Sequence, residues 1–285
     1  MKLGINSSVW EIAGIGLEKS LDYINNFGFK YVDILAFGSA NPEILSASDK
    51  NKIINKFQKF DLKSSSMVAL PPGNIASTER EERDKCFSYL RSCAEFQLET
   101  GGKQLLIGLG GGHKTLDMSW EQTWMNSVSF LKSYCEYLYN LNMFLIMELE
   151  PLVYCVINNT SRMVKIIEDV GAPNLFANID IGHLSITREP PKTIEKLKHK
   201  ILHVHISDNN GETHANWIIG TGVTPVSYYL NELSNSDIDE LCSKYGEEAV
   251  ASIEIGTIGE TIDDPDYYIS ESLKYLYDKV PEISR

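Results

Sequence analysis

Four successive apolar runs in the second half of the chain end on a residue able to hold a cation: Glu150, Asp180, His205 and Glu254. In Leu145-Ile146-Met147-Glu148-Leu149-Glu150, the set Leu145, Met147, Leu149 alternates with a set that carries Glu148 and Glu150. Leu175, Ala177 and Ile179 alternate with Phe176, Asn178 and Asp180, and Leu202, Val204 and Ile206 with His203 and His205. Ala251, Ile253 and Ile255 alternate with Ser252 and Glu254. Strand side chains point alternately to opposite faces, so each run has an apolar face and a polar face. Three carboxylates and an imidazole converging on one place repel or lose their charge unless a counter-ion joins them. A divalent cation resolves that conflict, and a set of three oxygen donors and one nitrogen suits Mn2+, Mg2+ or Co2+, with Zn2+ also admissible. Glu148, one layer deeper than Glu150, reads as a buried hydrogen-bonded group rather than a ligand.

Something must bring the four runs together. Strand-like segments lie near 2–6, 31–36, 63–69, 104–109, 143–150, 174–180, 201–206 and 250–255. Helix-like segments near 16–27, 42–59, 79–99, 119–141, 160–171, 192–199, 225–246 and 265–279 alternate with them. Alternation of this kind, without a Pro- or Ser-rich linker, predicts a (β/α)8 TIM barrel forming one domain over 1–285. Strands of such a barrel are covered on both faces and read as apolar runs, so the inward polar groups of the last four are exceptional. They end at the carboxyl ends of their strands, where barrel active sites are built. A doubly wound sheet is the rival fold, but no GxGxxG loop follows the first strand. Gly108, Gly110, Gly111 and Gly112 are followed by a polar turn and read as a flexible loop.

Loops at that face supply candidate substrate contacts. His214 and Asn216 follow the seventh strand beside Trp217, and His113 follows the glycine cluster; Trp10, just past the first strand, either walls the pocket or packs under the mouth.

Composition narrows the partners. The formal net charge is -13 over 285 residues, spread along the chain, which repels nucleic acid and anionic membrane and favours cations. Hydrophobic content of 43% and charged content of 23% are those of a globular protein. No apolar stretch approaches the roughly 20 residues that span a bilayer, and no signal-like segment opens the chain. Cys86, Cys93, Cys135, Cys155 and Cys242 show no CxxC spacing and read as buried free thiols of a cytoplasmic protein. A homo-oligomer is compatible with all of this.

The segments Leu149-Glu150-Pro151-Leu152, Asp180-Ile181-Gly182-His183, His203-Val204-His205 and Ser252-Ile253-Glu254 resemble the xylose isomerase-like barrel superfamily. The branch is that of sugar phosphate isomerases and epimerases, with the ketose 3-epimerases and inosose dehydratases. The stretch from Tyr89 to Gly108 is similar to the fourth β/α unit of the same family, so the likeness spans nearly the whole chain. It implies that Glu150, Asp180, His205 and Glu254 hold the metal, and that Glu150 and Glu254 also exchange a proton with the carbon beside a carbonyl. It implies that His183 contacts a substrate hydroxyl. Two departures stand out. Where ketose 3-epimerases grip the sugar with an Asn-Arg-aromatic-Glu segment, this chain has Val153-Tyr154-Cys155-Val156, and the arginine expected beyond the seventh strand falls on Gly211.

The expectation is a metal-dependent isomerase or epimerase acting on a small carbohydrate or polyol by proton transfer. Its runner-up is a dehydratase of a keto-polyol such as an inosose, which shares the first step. Phosphodiester cleavage in the manner of endonuclease IV would need more histidines than the six present and a basic groove. A non-catalytic binding protein has no use for the full ligand set.

Overall fold

A computed structural model describes residues 1–281 and 283. Eight parallel strands close on themselves in chain order. They are β1 (Lys2–Asn6), β2 (Tyr31–Leu35), β3 (Lys63–Ala69), β4 (Gln104–Ile107), β5 (Phe144–Glu148), β6 (Leu175–Asp180), β7 (Ile201–Ile206) and β8 (Val250–Ile253). The helices are α1 (Ser8–Ile12), α2 (Leu17–Asn26), α3 (Ala47–Lys59), α4 (Arg80–Glu99), α5 (Trp120–Asn140), α6 (Thr160–Val170), α7 (Ile181–Ile186), α8 (Val226–Ser234), α9 (Ile238–Lys244) and α10 (Pro265–Lys279). The predicted (β/α)8 barrel is the observed one.

Each apolar strand face packs outward on these helices: Leu145, Met147, Val204, Ala251 and Ile253 are fully buried. Caps fix where several helices begin. Ser46 accepts the amide of Asp49, so α3 starts later than the apolar pattern suggested. Ser119 and Asn159 cap α5 and α6 in the same way. The single helix expected over 225–246 is two, α8 and α9, separated by a turn at Asn235-Ser236-Asp237. The segment expected near 192–199 is a 3-10 helix over Pro191–Leu197. Two short helices, α1 and α7, lack the length to show a periodic pattern and were not expected.

Register sets what faces what inside the barrel. Glu148 is paired across the sheet with Asn178, Asp180 with His205, and His205 with Ser252. A bulge in the β2–β3 pairing lets Ser65 fall between Ser64, opposite Val32, and Ser66, opposite Asp33. All five cysteines are buried and free, as expected. Among the described residues, no helix is long and apolar enough to cross a membrane.

Candidate active site

Three of the four expected ligands meet at the carboxyl end of the barrel. Donor atoms of Asp180, His205, Glu254 and Glu148 all lie within 4.8 Å of one another. Glu148 therefore stands where Glu150 was expected. Its Oε1 accepts from Asn178 Nδ2 at 2.6 Å and lies 2.8 Å from His205 Nδ1, so the hydrogen-bonded role expected for it is present as well. The reason is parity: both glutamates point inward from the same end of the β5 segment, and the deeper one reaches the level of His205.

Glu150 groups instead with His183 and His214, and His183 Nε2 lies 3.9 Å from Asp180 Oδ2, so the two groups adjoin. Its Oε1 accepts the Leu109 amide at 3.2 Å, and Oε2 is buried with no partner. His214 Nε2 is 3.6 Å from that oxygen and 2.8 Å from His183 Nε2. His183 donates from Nδ1 to the Leu149 carbonyl at 2.7 Å.

Asp180 both ends β6 and caps α7. Its Oδ1 accepts the His183 amide at 2.8 Å and the Ser207 hydroxyl at 2.6 Å, while Oδ2 is buried and unpartnered. Ser207 Oγ in turn accepts the Gly182 amide at 3.1 Å, and a Cβ on Gly182 would run into that hydroxyl. Glu254 is steadied by Asn6, whose Nδ2 donates to Oε1 at 3.0 Å, and its Oε2 lies 3.1 Å from His205 Nδ1.

Beneath the mouth, Asp33 is fully buried. Its Oδ2 accepts from His203 Nε2 at 2.8 Å and lies 3.4 Å from His205 Nε2, and its Oδ1 accepts the Ser65 hydroxyl at 2.6 Å. Burial opposes its charge, but the two imidazoles hold its carboxyl below the ordinary range. For Glu148 burial wins over His205 and lifts the carboxyl to about 7. At His183 burial loses: it disfavours the charge, yet Asp180 and Glu150 raise the imidazole to about 9. His205 is raised well above its usual value by Glu254 and Glu148 despite burial. A site whose acids raise both His183 and His205 is short of positive charge. The unpartnered Asp180 Oδ2 and Glu150 Oε2 mark where a cation would relieve that shortage, so the donor set fits a divalent metal.

The loop after β7 is folded around Asp208, also fully buried. Its two oxygens accept the amides of Asn209, Gly220, Gly222 and Thr224 at 2.8–3.0 Å. That loop carries His214, half-buried at the mouth, and Asn216, whose carbonyl accepts the Gly256 amide at 2.7 Å and whose Oδ1 is buried without a partner. Trp10 does not join them. It is fully buried in α1, with its ring 6.4 Å from those of Tyr23 and Phe27, in the packing between α1 and α2. His113 sits in a bridge with Cys155, edge-on to Tyr154. The glycine run expected as a flexible loop is tied by main-chain bonds from Ile157 to Gly110 and from Val156 to Gly112. At Gly110, with φ of +56°, a Cβ would sit 2.8 Å from that of Cys155, so the two loops approach as closely as backbone allows.

Sequence reasoning missed Asn6, Asp33, Ser65, Ser207 and Asp208. Asp33 did carry a signal, as the one charged residue of Tyr31–Leu35, and Asn6 as the polar residue that ends β1.

Residues 21–276 match the sequence model of the family described as xylose isomerase-like TIM barrel. The chain belongs to that family. As a xylose isomerase-like barrel it is 30% identical over 164 residues to a fructoselysine 3-epimerase of Shigella flexneri, covering 57% of this chain and 55% of that protein. The chain thus spans about half the length of the first curated relatives it matches. A D-psicose 3-epimerase solved in the presence of D-fructose superposes with a TM-score of 0.80 at 16% identity, over 98% of this chain and 99% of that one. The IolI protein with a bound zinc atom superposes with a TM-score of 0.79 at 17% identity, over 99% of both chains. At such identities the solved structures show the xylose isomerase-like fold.

Proposed function

We propose that this chain is a divalent-metal-dependent isomerase or epimerase that moves a proton at the carbon beside a carbonyl of a small carbohydrate or polyol. The observation that carries the reading is the pair of unpartnered buried carboxylate oxygens, Asp180 Oδ2 and Glu150 Oε2, beside the convergent Asp180, His205 and Glu254. Zinc in the IolI structure and the epimerase names among the relatives support it.

Asp180, His205 and Glu254 hold the metal, with β5 supplying the fourth donor. Sequence assigns that place to Glu150, and Glu148 lies within reach of the other three. When bound, a divalent ion supplies a Lewis acid that favours negative charge on a carbonyl oxygen. The protein's own groups do the rest. Glu254, with one oxygen held by Asn6, takes or returns the proton at the reacting carbon. Glu150, from another strand and with a free oxygen, serves as its counterpart, which permits inversion. His183 and His214, with Nε2 atoms facing each other across 2.8 Å, bind a substrate hydroxyl, and Asn216 offers its buried amide oxygen.

The test is incubation of metal-loaded protein with a panel of ketoses and inososes in deuterium oxide, followed by mass spectrometry. One solvent deuteron on recovered substrate or product is expected, and a stereoisomeric product identifies an epimerase. A product lacking water would reassign the chain to the dehydratases. Turnover that leaves carbon-bound hydrogen unexchanged would overturn proton transfer.

A further inference from the structure

The floor of the barrel decides which nitrogen of His205 faces the mouth. His203 and His205 both point inward from β7, their rings 5.4 Å apart and nearly perpendicular. Asp33, reaching across from β2, puts one oxygen against the Nε2 atoms of both, at 2.8 Å and 3.4 Å. The bulge in the β2–β3 pairing turns Ser65 to hold the other oxygen at 2.6 Å. On the far edge of the His205 ring, Nδ1 lies 2.8 Å from Glu148 Oε1 and 3.1 Å from Glu254 Oε2.

A neutral imidazole carries one N–H and one lone pair, and only the lone pair binds a metal. A carboxylate at one nitrogen keeps the proton there and leaves the other nitrogen for ligation. His205 Nε2 has no hydrogen-bond partner, and Asp33 Oδ2 stands 3.4 Å from it as an available acceptor. The carboxylates at Nδ1 belong to the donor group that would take the cation, so with a cation there the proton is left to the Nε2 edge, beside Asp33. Packing alone does not explain Asp33: a fully buried carboxylate in the layer below the site costs stability unless its neighbours donate to it. We propose that Asp33 is a positioning residue that fixes His205 in the Nε2–H form, so that Nδ1 is the nitrogen presented to the cation. This rests on the metal reading above. It adds a residue that neither the sequence motifs nor the ligand set contains.

The experiment uses the full chain with histidines labelled with nitrogen-15, loaded with Zn2+. Long-range proton–nitrogen correlation spectra read the tautomer of His205, and isothermal titration reads the zinc affinity. In the unaltered protein we expect Nε2 protonated and Nδ1 ligated. Asp33→Asn, which keeps the shape but removes one acceptor, weakens zinc binding by about 10- to 100-fold. Ser65→Ala, a milder loosening of the same carboxylate, weakens it less and in the same direction. Ligation through Nε2 in the unaltered protein overturns the proposal, as does Asp33→Asn with unchanged zinc affinity. Should Asp33→Asn not fold, the tautomer of the unaltered protein and the affinity of Ser65→Ala decide. Failure of the metal reading shows differently, as no zinc bound by the unaltered protein under any loading condition, and the proposal then falls with it.

Discussion

Replacing Asp208 by Asn isolates the device that shapes the loop after β7. The carboxylate accepts two amides on each oxygen: Asn209 and Thr224 on Oδ1, Gly220 and Gly222 on Oδ2. An amide side chain has one accepting oxygen and one donating nitrogen, so in either orientation two main-chain N–H groups face a donor. A buried donor left unmet costs about 1–3 kcal/mol, which puts the pair at about 2–6 kcal/mol. Water entering the loop brings the expectation to the lower part, about 2–4 kcal/mol. The loss falls first on the loop, because an element can open locally before the barrel does. Amide exchange at Gly220, Gly222 and Thr224 in Asp208→Asn should therefore accelerate by roughly 30- to 1,000-fold, taking 1.4 kcal/mol per factor of ten. The urea midpoint falls only as far as this loop unfolds with the whole. His214 and Asn216 ride on the same loop, so ligands that use them bind more weakly. Exchange rates within about threefold of the unaltered protein would refute the idea that this carboxylate holds the loop.

Leu149→Gln should lower unfolding stability by about 2–4 kcal/mol in denaturant titration, since it puts an amide among Met163, Leu184 and Leu197; a loss under about 1 kcal/mol would contradict that placement. Glu254→Gln should keep the cooperative unfolding of the parent while lowering metal occupancy and abolishing solvent exchange on substrate, and full turnover would remove its assigned role. Stripping the metal from loaded protein should lower the melting temperature by about 4–8 °C when the ion is present at roughly a hundred times its dissociation constant, as calorimetry with and without chelator will show. In the metal-free protein the stabilisation from protonated His183 is complete below its unfolded value of 6.5 and lost as pH climbs through about 9; that from protonated Glu148 is complete below 4.5 and lost through about 7. Calorimetry of chelated protein should accordingly show a falling melting temperature as pH rises across those intervals, and a rise there would mean the two groups are not held as described.

The barrel was legible because period-two alternation and helix-like spacers are both imposed by burial, and burial is written into residue type. The same parity that exposed Glu150 also selects Glu148, and no rule of alternation separates two acids on one face; depth in the barrel does, and depth is set by register with β6 and β7. Asp33 stayed hidden because its meaning depends on His203 and His205, far away in sequence, and on a bulge that turns Ser65 inward. Asp208 gave no signal of its own role, since four amides gathered from one loop leave no mark on residue type. Trp10 was open in the sequence because a position just beyond a strand admits either the mouth or the packing beneath it; α1 begins at once and turns the ring against α2.

At the β6–α7 junction one residue serves as strand end, helix cap and candidate ligand, with no intervening loop, and Gly182 leaves no space beside Ser207. This has a consequence for how such a pocket diversifies. Insertions, deletions and bulky replacements after β6 would drag Asp180 with them, so that sixth of the junctions is closed to experiment, natural or designed. The segments after β4, β5 and β7 are free to vary in length and lining because what anchors them, Gly110 to Ile157 and Asp208 to its ring of amides, lies in main chain or at a single buried carboxylate. New substrates would be acquired there, around a fixed sixth corner, and a library aimed at altered specificity should leave 180–183 untouched.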